Sequence, residues 1–392
     1  MRVGESGVEP RAIKTGFFGT LFCLCFLLSP LLSNLAGVGK FSLGDMAIFF
    51  SLVISIFSLR SIGVFCMLGL VSILLLSCIC LFAYMDSYPE GVFVLARMAL
   101  YVACFFIFLT VCKRPGFASG LMRVYLRLAV LFSMMLVVQV VSYHLFGIVF
   151  VYLVTPLDIQ PNSVLGLDIA TQGFRSGGVF KEPSYFSVFV APAVIYAASR
   201  RHYLLWCLIS SAIVLSTSSL GFIFIALSLL RFFNAIYLVV LLPIGLALGT
   251  LVLTGIIPIL PDRVMETLEG GGSLSIRVVE PFSRVFLDTK SLFLPNVEAL
   301  RDLADPVLAT KIWFNSFTYA VVVYGILVLV PLILMFCAVG VACIPFALIL
   351  LVTANGLTNP YFVVSVVTLS VLMASVGKYS IARDADALKV LR

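Results

Sequence analysis

The amino-acid sequence predicts an all-α, polytopic integral membrane protein with about twelve transmembrane helices. Of its 392 residues, 62% are apolar and only 11% are charged, and the mean hydropathy is +1.19. An ordinary soluble domain is about 45–50% apolar and about 25% charged, so this excess is more than a soluble core of this size can bury. The apolar residues also form long unbroken runs instead of the short alternating strands of a barrel.

Apolar runs of roughly membrane-spanning length recur along the whole chain. A spanning helix needs about 20 such residues. The runs lie at 16–33, 44–59, 61–84, 92–112, 126–154, 184–199, 235–255, 314–337, 339–355 and 359–377. The block 203–233 is interrupted by the polar sequence 215–221, and we interpret it as two short spans that meet at a turn, with a re-entrant hairpin as the alternative. We therefore expect a single transmembrane domain over 1–392 and no cleaved signal peptide.

The distribution of lysine and arginine predicts the orientation of these spans. With both termini in the cytoplasm, most of the 25 Lys and Arg residues fall in cytoplasmic segments, as the positive-inside rule requires. Most of the others lie in two long outer loops, 155–183 and 256–312. The net charge of +7 therefore reflects membrane topology and does not indicate nucleic-acid binding.

The loop 256–312 has signals for short helices of its own. Pro281 can occupy the first position of an amphipathic helix that lies on the outer leaflet. Asn296 can cap a second short helix, with Leu300 and Leu303 facing inward. We expect the two long loops together to cover an active site.

Few side chains in the outer loops could carry out chemistry, and Glu182 is the main candidate. It is the only glutamate of the loop 155–183, and Pro183 after it favours a helix start. A carboxylate at a helix N-terminus is stabilised as an anion, so Glu182 could be a helix-start charge. Beside Arg175 and Lys181 it could equally act as a general base that takes a proton from a hydroxyl.

Arginine residues are candidates for binding pyrophosphate, because the planar guanidinium bonds two oxygens at once. Arg175, Arg277 and Arg284 lie in the outer loops. Arg97 lies near the outer end of its span, where it could extend to the surface or join the same cavity. For each of them the alternative is a solvated surface charge.

The sequence contains no recognisable metal or cofactor site. The ten cysteines lie in or at the edge of apolar runs, and we interpret them as core residues. Of the two histidines, we expect His144 to be a hydrogen-bonded interior residue and His202 a cytoplasmic surface residue. No zinc motif, outer-loop Asp-x-Asp pair or glycine-rich nucleotide loop occurs, so we expect neither a metal nor a cofactor.

Parts of the chain resemble the Wzy-type repeat-unit polymerases of O-antigen and capsule synthesis. The first likeness is the loop-to-helix segment Arg175-x-Gly177-Gly178-x-Phe180-x-Glu182-Pro183-Ser184-Tyr185-Phe186. Two short spans separated by the break 215–221 follow it. The large loop is similar where it begins, at Gly271-Gly-Ser-Leu-Ser-Ile-Arg277, and where it ends, at Asn315-Ser-Phe-x-Tyr319 and Tyr324-Gly-Ile-Leu327. This local likeness covers about residues 170–330.

The resemblance implies a metal-independent, GT-C-like glycosyltransferase at the periplasmic face of the bacterial inner membrane. It would transfer a growing glycan from undecaprenyl pyrophosphate to a sugar hydroxyl of a lipid-linked repeat unit, with a chain-length regulator as a possible partner. Carried over by motif, Glu182, Arg175 and Arg277 would be catalytic. Substrate binding would involve Arg284, Lys181, Tyr185, Asn315, Tyr319 and Arg97. An arginine followed eleven residues later by glycine, described for some members, is absent here, because Phe186 and Asp288 occupy those positions.

Two alternatives stay open. The related O-antigen ligases carry a histidine in the large outer loop, whereas 256–312 contains none. A polymerase is therefore favoured, because a missing proton-transfer group is hard to replace. A lipid-linked oligosaccharide flippase would also have many spans. A transporter, however, should show charges at mid-membrane and related halves, which this sequence does not.

Overall fold

The computed structural model describes residues 16–35, 37, 41–59, 61–89, 91–148, 176–180, 182–232, 293, 295–304, 315–353, 357 and 359–390, and these residues form helices and no strand. In chain order, the first five helices are α1 (Phe17–Leu32), α2 (Leu43–Ser58), α3 (Val64–Ser87), α4 (Gly91–Cys112) and α5 (Pro115–Phe146). Next come α6 (Pro183–Ser199), α7 (Tyr203–Leu215), α8 (Ser219–Phe232) and α9 (Val297–Ala304). The last are α10 (Ser316–Tyr324), α11 (Leu329–Val339), α12 (Ile344–Thr353) and α13 (Pro360–Val390).

Several of these helices could span a membrane, in agreement with the predicted helical membrane class. Within the described part of the chain, the segments 64–85, 91–112 and 116–146 are long and apolar enough to cross a bilayer. The apolar helices α11 and α12 pass the same test as a pair but are bent by 112° at Gly340. Large apolar side chains on the outside of α3, including Leu75 and Phe82, are exposed, as expected of a surface that contacts lipid.

Two helices, α6 and α13, lie at the centre of the bundle. In α6, Pro183 and every residue from Phe186 to Ala198 are buried. α6 packs against α5, α7, α8 and α13, while α13 also contacts α1, α4 and α5. The first thirteen residues of α13, 360–372, are buried as well. α6 over most of its length and α13 over its first thirteen residues are thus shielded from lipid.

Pro192 interrupts the hydrogen bonding of α6, and neighbouring helices repair it. Proline has no N–H, so it cannot donate to the carbonyl of Val188 four residues earlier. The Ser365 hydroxyl of α13 donates to that carbonyl at 3.1 Å. One residue further along, the Tyr125 hydroxyl of α5 accepts the Ala193 N–H at 3.2 Å and donates to the Phe189 carbonyl at 2.7 Å.

The block 203–233 forms two short antiparallel helices, α7 and α8, of 13 and 14 residues. The Trp206 indole near the start of α7 donates to the Ser228 hydroxyl near the end of α8 at 2.9 Å. Thr217 in the turn between them has a positive φ of 56°. Each helix is about 20 Å long, shorter than the roughly 30 Å of a bilayer core. The predicted break is confirmed.

The run 314–337, expected as one span, is instead broken at Gly325, which has φ 70° and ψ −176°. The break leaves carbonyl groups at the end of α10 without helical donors. The Asn296 N–H donates to the Val322 carbonyl at 2.9 Å, and the Tyr84 hydroxyl donates to the Val323 carbonyl at 2.8 Å. Irregular backbone at membrane depth is tolerated where the protein satisfies it in this way.

A further difference concerns α5, which begins and ends earlier than the expected span 126–154. Pro115 occupies its first turn, where proline is favourable. Gly147 ends it in the left-handed conformation with φ 66°, and the Ile148 N–H bonds back to the Ser142 carbonyl at 3.3 Å. His144 therefore lies in the last turn of α5 and is exposed, which corrects the expectation that it is an interior residue.

Basic side chains gather at one end of the bundle, which we call the basic end. Lys113 donates to the Ala338 carbonyl at 2.7 Å, just before the Gly340 bend. Arg231 donates to the Ala342 carbonyl at 2.8 Å, just after it. At the same end Arg114 donates to the Ser58 carbonyl and Arg200 to the Ser375 carbonyl. The contacts at Ser58 and Ala338 are at the C-terminal ends of α2 and α11, where the helix dipole favours a cation.

Candidate functional site

The opposite end of the bundle is the Glu182 end, because Glu182 precedes α6 and Arg200 follows it. These two residues flank a helix of 17 residues, so they are about 25 Å apart along its axis. The turn at 216–218 lies at the Glu182 end, because a Cβ on Gly221 would come within 2.7 Å of the Ser187 hydroxyl. The start of α13 lies there too, because Tyr361 stacks on Tyr185, and so does the start of α2, because Gly44 packs on Ser33 beside Tyr361.

The described residues 176–180 and 182 are folded so tightly that glycine is required at two positions. A Cβ on Gly177 would lie 2.6 Å from the Phe180 carbonyl oxygen and 2.8 Å from the backbone of Glu182. Gly178 has φ 64°, in the left-handed region that favours glycine. The two glycines of the sequence motif therefore determine where the chain places Glu182.

This segment is also fastened to α5 and to the core. The Ser176 hydroxyl accepts the Gly178 N–H at 3.0 Å and donates to the amide oxygen of Gln139. Both side chains are buried. Phe180 is buried against Phe132 and Phe189, with ring centroids 5.5 and 5.2 Å away. Sequence reasoning missed Gln139, although a lone amide in an apolar run is a signal for such a contact.

Glu182 occupies the N-cap position of α6, and its side chain is partly exposed. Its backbone carbonyl accepts the N–H groups of Tyr185 and Phe186, at 3.1 and 3.2 Å. Its carboxylate does not cap the backbone of the helix but accepts the Ser184 hydroxyl at 3.1 Å. One carboxylate oxygen is thus oriented by Ser184, at the positive end of the helix dipole.

An aromatic pair adjoins this carboxylate. The rings of Tyr185 and Tyr361 are stacked, with centroids 4.5 Å apart and planes inclined by 21°. Tyr361 lies close enough to Glu182 to interact electrostatically, and its hydroxyl faces Ser33 and Asn34 after α1. Tyr185 was expected from the sequence, whereas Tyr361 was not, because it belongs to an apolar run 176 residues away by sequence number.

A second polar cluster at the same end is centred on Asp45, in the first turn of α2. The Asp45 side chain is 3% exposed and accepts hydrogen bonds from the Ser42 N–H (2.8 Å) and the Ser42 hydroxyl (2.9 Å). The Tyr101 hydroxyl donates to it at 2.5 Å, and Nη2 of Arg97 donates to both carboxylate oxygens at 3.0 and 2.9 Å. Gly44 packs against Ser33, which joins this cluster to the surroundings of Tyr361.

Arg97, expected at the surface or in a cavity, is therefore held in an ion pair with the buried Asp45 but keeps 27% of its own side chain exposed. Asp45 was not expected from the sequence. The signal was present, because Ser42 and Asp45 have the spacing of a capping box and a lone acid in an apolar run is costly without a partner.

The expected residues Asn315 and Tyr319 lie on α10. Asn315 is buried and caps the helix, because its amide oxygen accepts the Thr318 N–H at 2.9 Å. Tyr319 is partly exposed and lies close enough to Arg97 and Tyr88 to interact with them electrostatically. The fold thus places Arg97 and Tyr319, from distant parts of the chain, within electrostatic range of each other.

Other expected residues lie outside the described residues, namely Arg175, Lys181, Arg277 and Arg284. The amphipathic helix expected at Pro281 lies outside them as well. The cap at Asn296 is confirmed, because its amide oxygen accepts the Ala299 N–H at 3.0 Å and Leu300 is buried. Among the described residues, no group of three His, Cys, Asp or Glu side chains could hold a metal ion.

Comparison of the chain with protein-family models, with curated proteins and with solved structures finds no match.

Proposed function

We propose that this chain is a membrane glycosyltransferase that polymerises lipid-linked glycan repeat units at the periplasmic face of the bacterial inner membrane. The observation that carries the proposal is the placement of Glu182. The close packing of Gly177 on Glu182 places a partly exposed carboxylate at the start of the central helix, with one oxygen oriented by Ser184. These residues belong to the motif 175–186 that resembles the polymerases.

The positions of the basic residues support the orientation in this proposal. Lys113, Arg114, Arg200 and Arg231 share the end of the bundle opposite Glu182. By the positive-inside rule the basic end faces the cytoplasm, so the Glu182 end faces the periplasm. Both termini are then cytoplasmic, and a periplasmic chain-length regulator could reach the Glu182 end.

The proposed reaction uses Glu182 as a general base. The acceptor hydroxyl oxygen bonds to the anomeric carbon of the donor glycan while its proton passes to the Glu182 carboxylate. The bond from that carbon to the pyrophosphate oxygen breaks, and undecaprenyl pyrophosphate leaves with the electron pair. Arg175 and Arg277 would neutralise its charge, assisted by Lys181 and Arg284. Tyr185 would contact the substrates, Asn315 would keep the start of α10 in place as its cap, and no metal or cofactor is required.

The test is the glycan length distribution of cells whose only copy is a variant. We expect Glu182→Gln, which keeps the shape but removes the basicity, to abolish long chains and leave single repeat units at the cell surface. Glu182→Asp should keep partial activity. The matched control is Glu298→Gln, which removes an exposed glutamate from α9.

The amount of protein in the membrane must be the same in the variant, control and natural strains. Long chains of normal amount in the Glu182→Gln strain would contradict the proposal. Loss of single surface units in cells without the protein, with lipid-linked units kept on the inner side, would indicate the flippase alternative.

A further inference from the structure

One face of α5 carries every exposed side chain of the central part of this helix. Between positions 121 and 143 the exposed residues are Arg123, Arg127, Leu131, Met134, Val138 and Val141. Their spacings of three and four residues place them within one stripe about 80° wide, which we call the α5 stripe. Buried residues such as Tyr125 and Phe132 occupy the opposite face. The stripe therefore has two cations at one end and a continuous apolar surface beyond them.

The two arginines lie beside the bundle and do not project past its basic end. Met122 accepts the Ser375 hydroxyl at 3.8 Å, and the Ser375 carbonyl accepts Arg200, so Met122 is level with the basic end of α6. Because α5 runs from there towards the Glu182 end, Arg123 is at nearly the same level. Arg127 is about 8 Å further inside, along a surface that faces lipid.

Neither arginine has a partner within the described part of the chain. No hydrogen bond there uses Arg123 or Arg127, and the one ion pair among the described residues joins Arg97 to Asp45. A charged side chain that faces lipid is costly without a counter-charge. Side chains on a helix lean towards its N-terminus, which in α5 is at the basic end. The long side chain of Arg127 can therefore bring its guanidinium to the headgroup level, next to that of Arg123.

We propose that the α5 stripe binds an anionic phospholipid of the leaflet at the basic end. Arg123 and Arg127 are one turn apart, with about 6 Å between their Cβ atoms, so their two planar guanidiniums can hold one phosphate between them. The apolar part, from Leu131 to Val141, is about 15 Å long, which is half the thickness of a bilayer core. The order of cations and apolar surface thus matches the headgroup and acyl chains of one lipid.

A second copy of the chain fits this surface less well. In a symmetric dimer formed through parallel α5 stripes, Arg123 and Arg127 would face the same two cations of the partner, and like charges in contact repel. The inference does not depend on glycosyl transfer, so it can hold or fail apart from the role of Glu182.

Binding is measured by native mass spectrometry of the full-length protein in detergent, titrated with phosphatidylglycerol or with phosphatidylcholine. The test variant is Arg123→Gln with Arg127→Gln, and a second variant replaces both arginines with lysine. The matched control is Lys113→Gln with Arg201→Gln, which removes two other exposed cations of the basic end. The unfolding midpoint checks that each variant is folded.

We expect the natural protein to bind phosphatidylglycerol more tightly than phosphatidylcholine. The glutamine pair at 123 and 127 should bind phosphatidylglycerol about tenfold more weakly or worse, with its affinity for phosphatidylcholine unchanged. The lysine pair should bind with intermediate affinity, because it keeps the charges but loses the planar fork. The control pair should bind like the natural protein.

Equal affinity of the natural protein and the glutamine pair for phosphatidylglycerol would overturn the inference. An equal loss in the control pair would also overturn it, because the attraction would then be a diffuse effect of net charge. Glycerol phosphate has the headgroup chemistry but no acyl chains. If it displaced phosphatidylglycerol at equal concentration, the assignment of the stripe to a lipid would be wrong.

Discussion

Gly177 shows how one residue without a side chain determines the position of a candidate catalytic group. The sequence alone indicated only that glycines precede Glu182. The structure gives the reason, because any Cβ at position 177 would meet the backbone of Phe180 and Glu182. Those contacts are to backbone atoms and cannot be relieved by turning a side chain.

Gly177→Ala should therefore displace the segment 176–182 or destabilise the protein, by about 1–3 kcal/mol. The expected result is a lower unfolding midpoint together with reduced polymer length. Gly63→Ala is the matched control, because nothing lies within 4 Å of a Cβ there. An unchanged midpoint and normal chain length in Gly177→Ala would show that this close contact does not constrain the site.

Some residues of the candidate site could be predicted from the sequence and others could not. Glu182 and Tyr185 stand in a motif, so local reading found them. Asp45 and Tyr361 gain their importance from partners distant in the chain, and Arg97 reaches Asp45 across 52 positions. Local patterns carry no information about such pairings.

Among the elements, α6 is central to the fold although its sequence looks unfavourable. Pro192 removes an N–H from the middle of the helix, yet α6 is the most completely buried of the short apolar helices that precede α10. Hydroxyl groups from α5 and α13 supply the missing partners, so the helix that begins after Glu182 is held by its neighbours.

Removing one of these hydroxyls should weaken the bundle without changing the site directly. Tyr125→Phe leaves the Phe189 carbonyl and the Ala193 N–H without their shared partner, at a cost of about 1–3 kcal/mol. The measurement is the unfolding midpoint of detergent-purified protein. Tyr196→Phe in α6 itself is the control, because no described hydrogen bond uses its hydroxyl. Equal midpoints for the two variants would contradict the proposed repair.

The boundaries of the elements were only partly readable from the sequence. The polar sequence 215–221 predicted the turn between α7 and α8, and Asn296 predicted the cap of α9. The break at Gly325 was not foreseen, because a single glycine in an apolar run resembles a continuous span. What makes the break stable is the Tyr84 hydroxyl and the Asn296 N–H, and neither contact can be read from the run itself.

In the molecule as a whole, the two ends of the bundle carry different chemistry. The basic end is lined by cations that donate to backbone carbonyls on either side of the Gly340 bend. The Glu182 end carries a partly exposed carboxylate, a stacked tyrosine pair and the Asp45–Arg97 cluster. Composition and hydropathy predicted the helical membrane class and this asymmetry of charge. They could not predict that α6 and α13 form the centre, because all the runs are similarly apolar.

In the proposed reaction, Glu182 activates a sugar hydroxyl for attack on a glycan linked to a lipid diphosphate. The most direct measurement uses purified protein in nanodiscs with synthetic lipid-linked repeat units, and it follows the release of undecaprenyl pyrophosphate and the appearance of doubled repeat units. We expect equal molar amounts of both products from the natural protein. For Glu182→Gln we expect a rate lower by about 10²–10⁴-fold, the usual contribution of a general base. Equal rates for the two proteins, or no glycan transfer by the folded natural protein, would contradict the account.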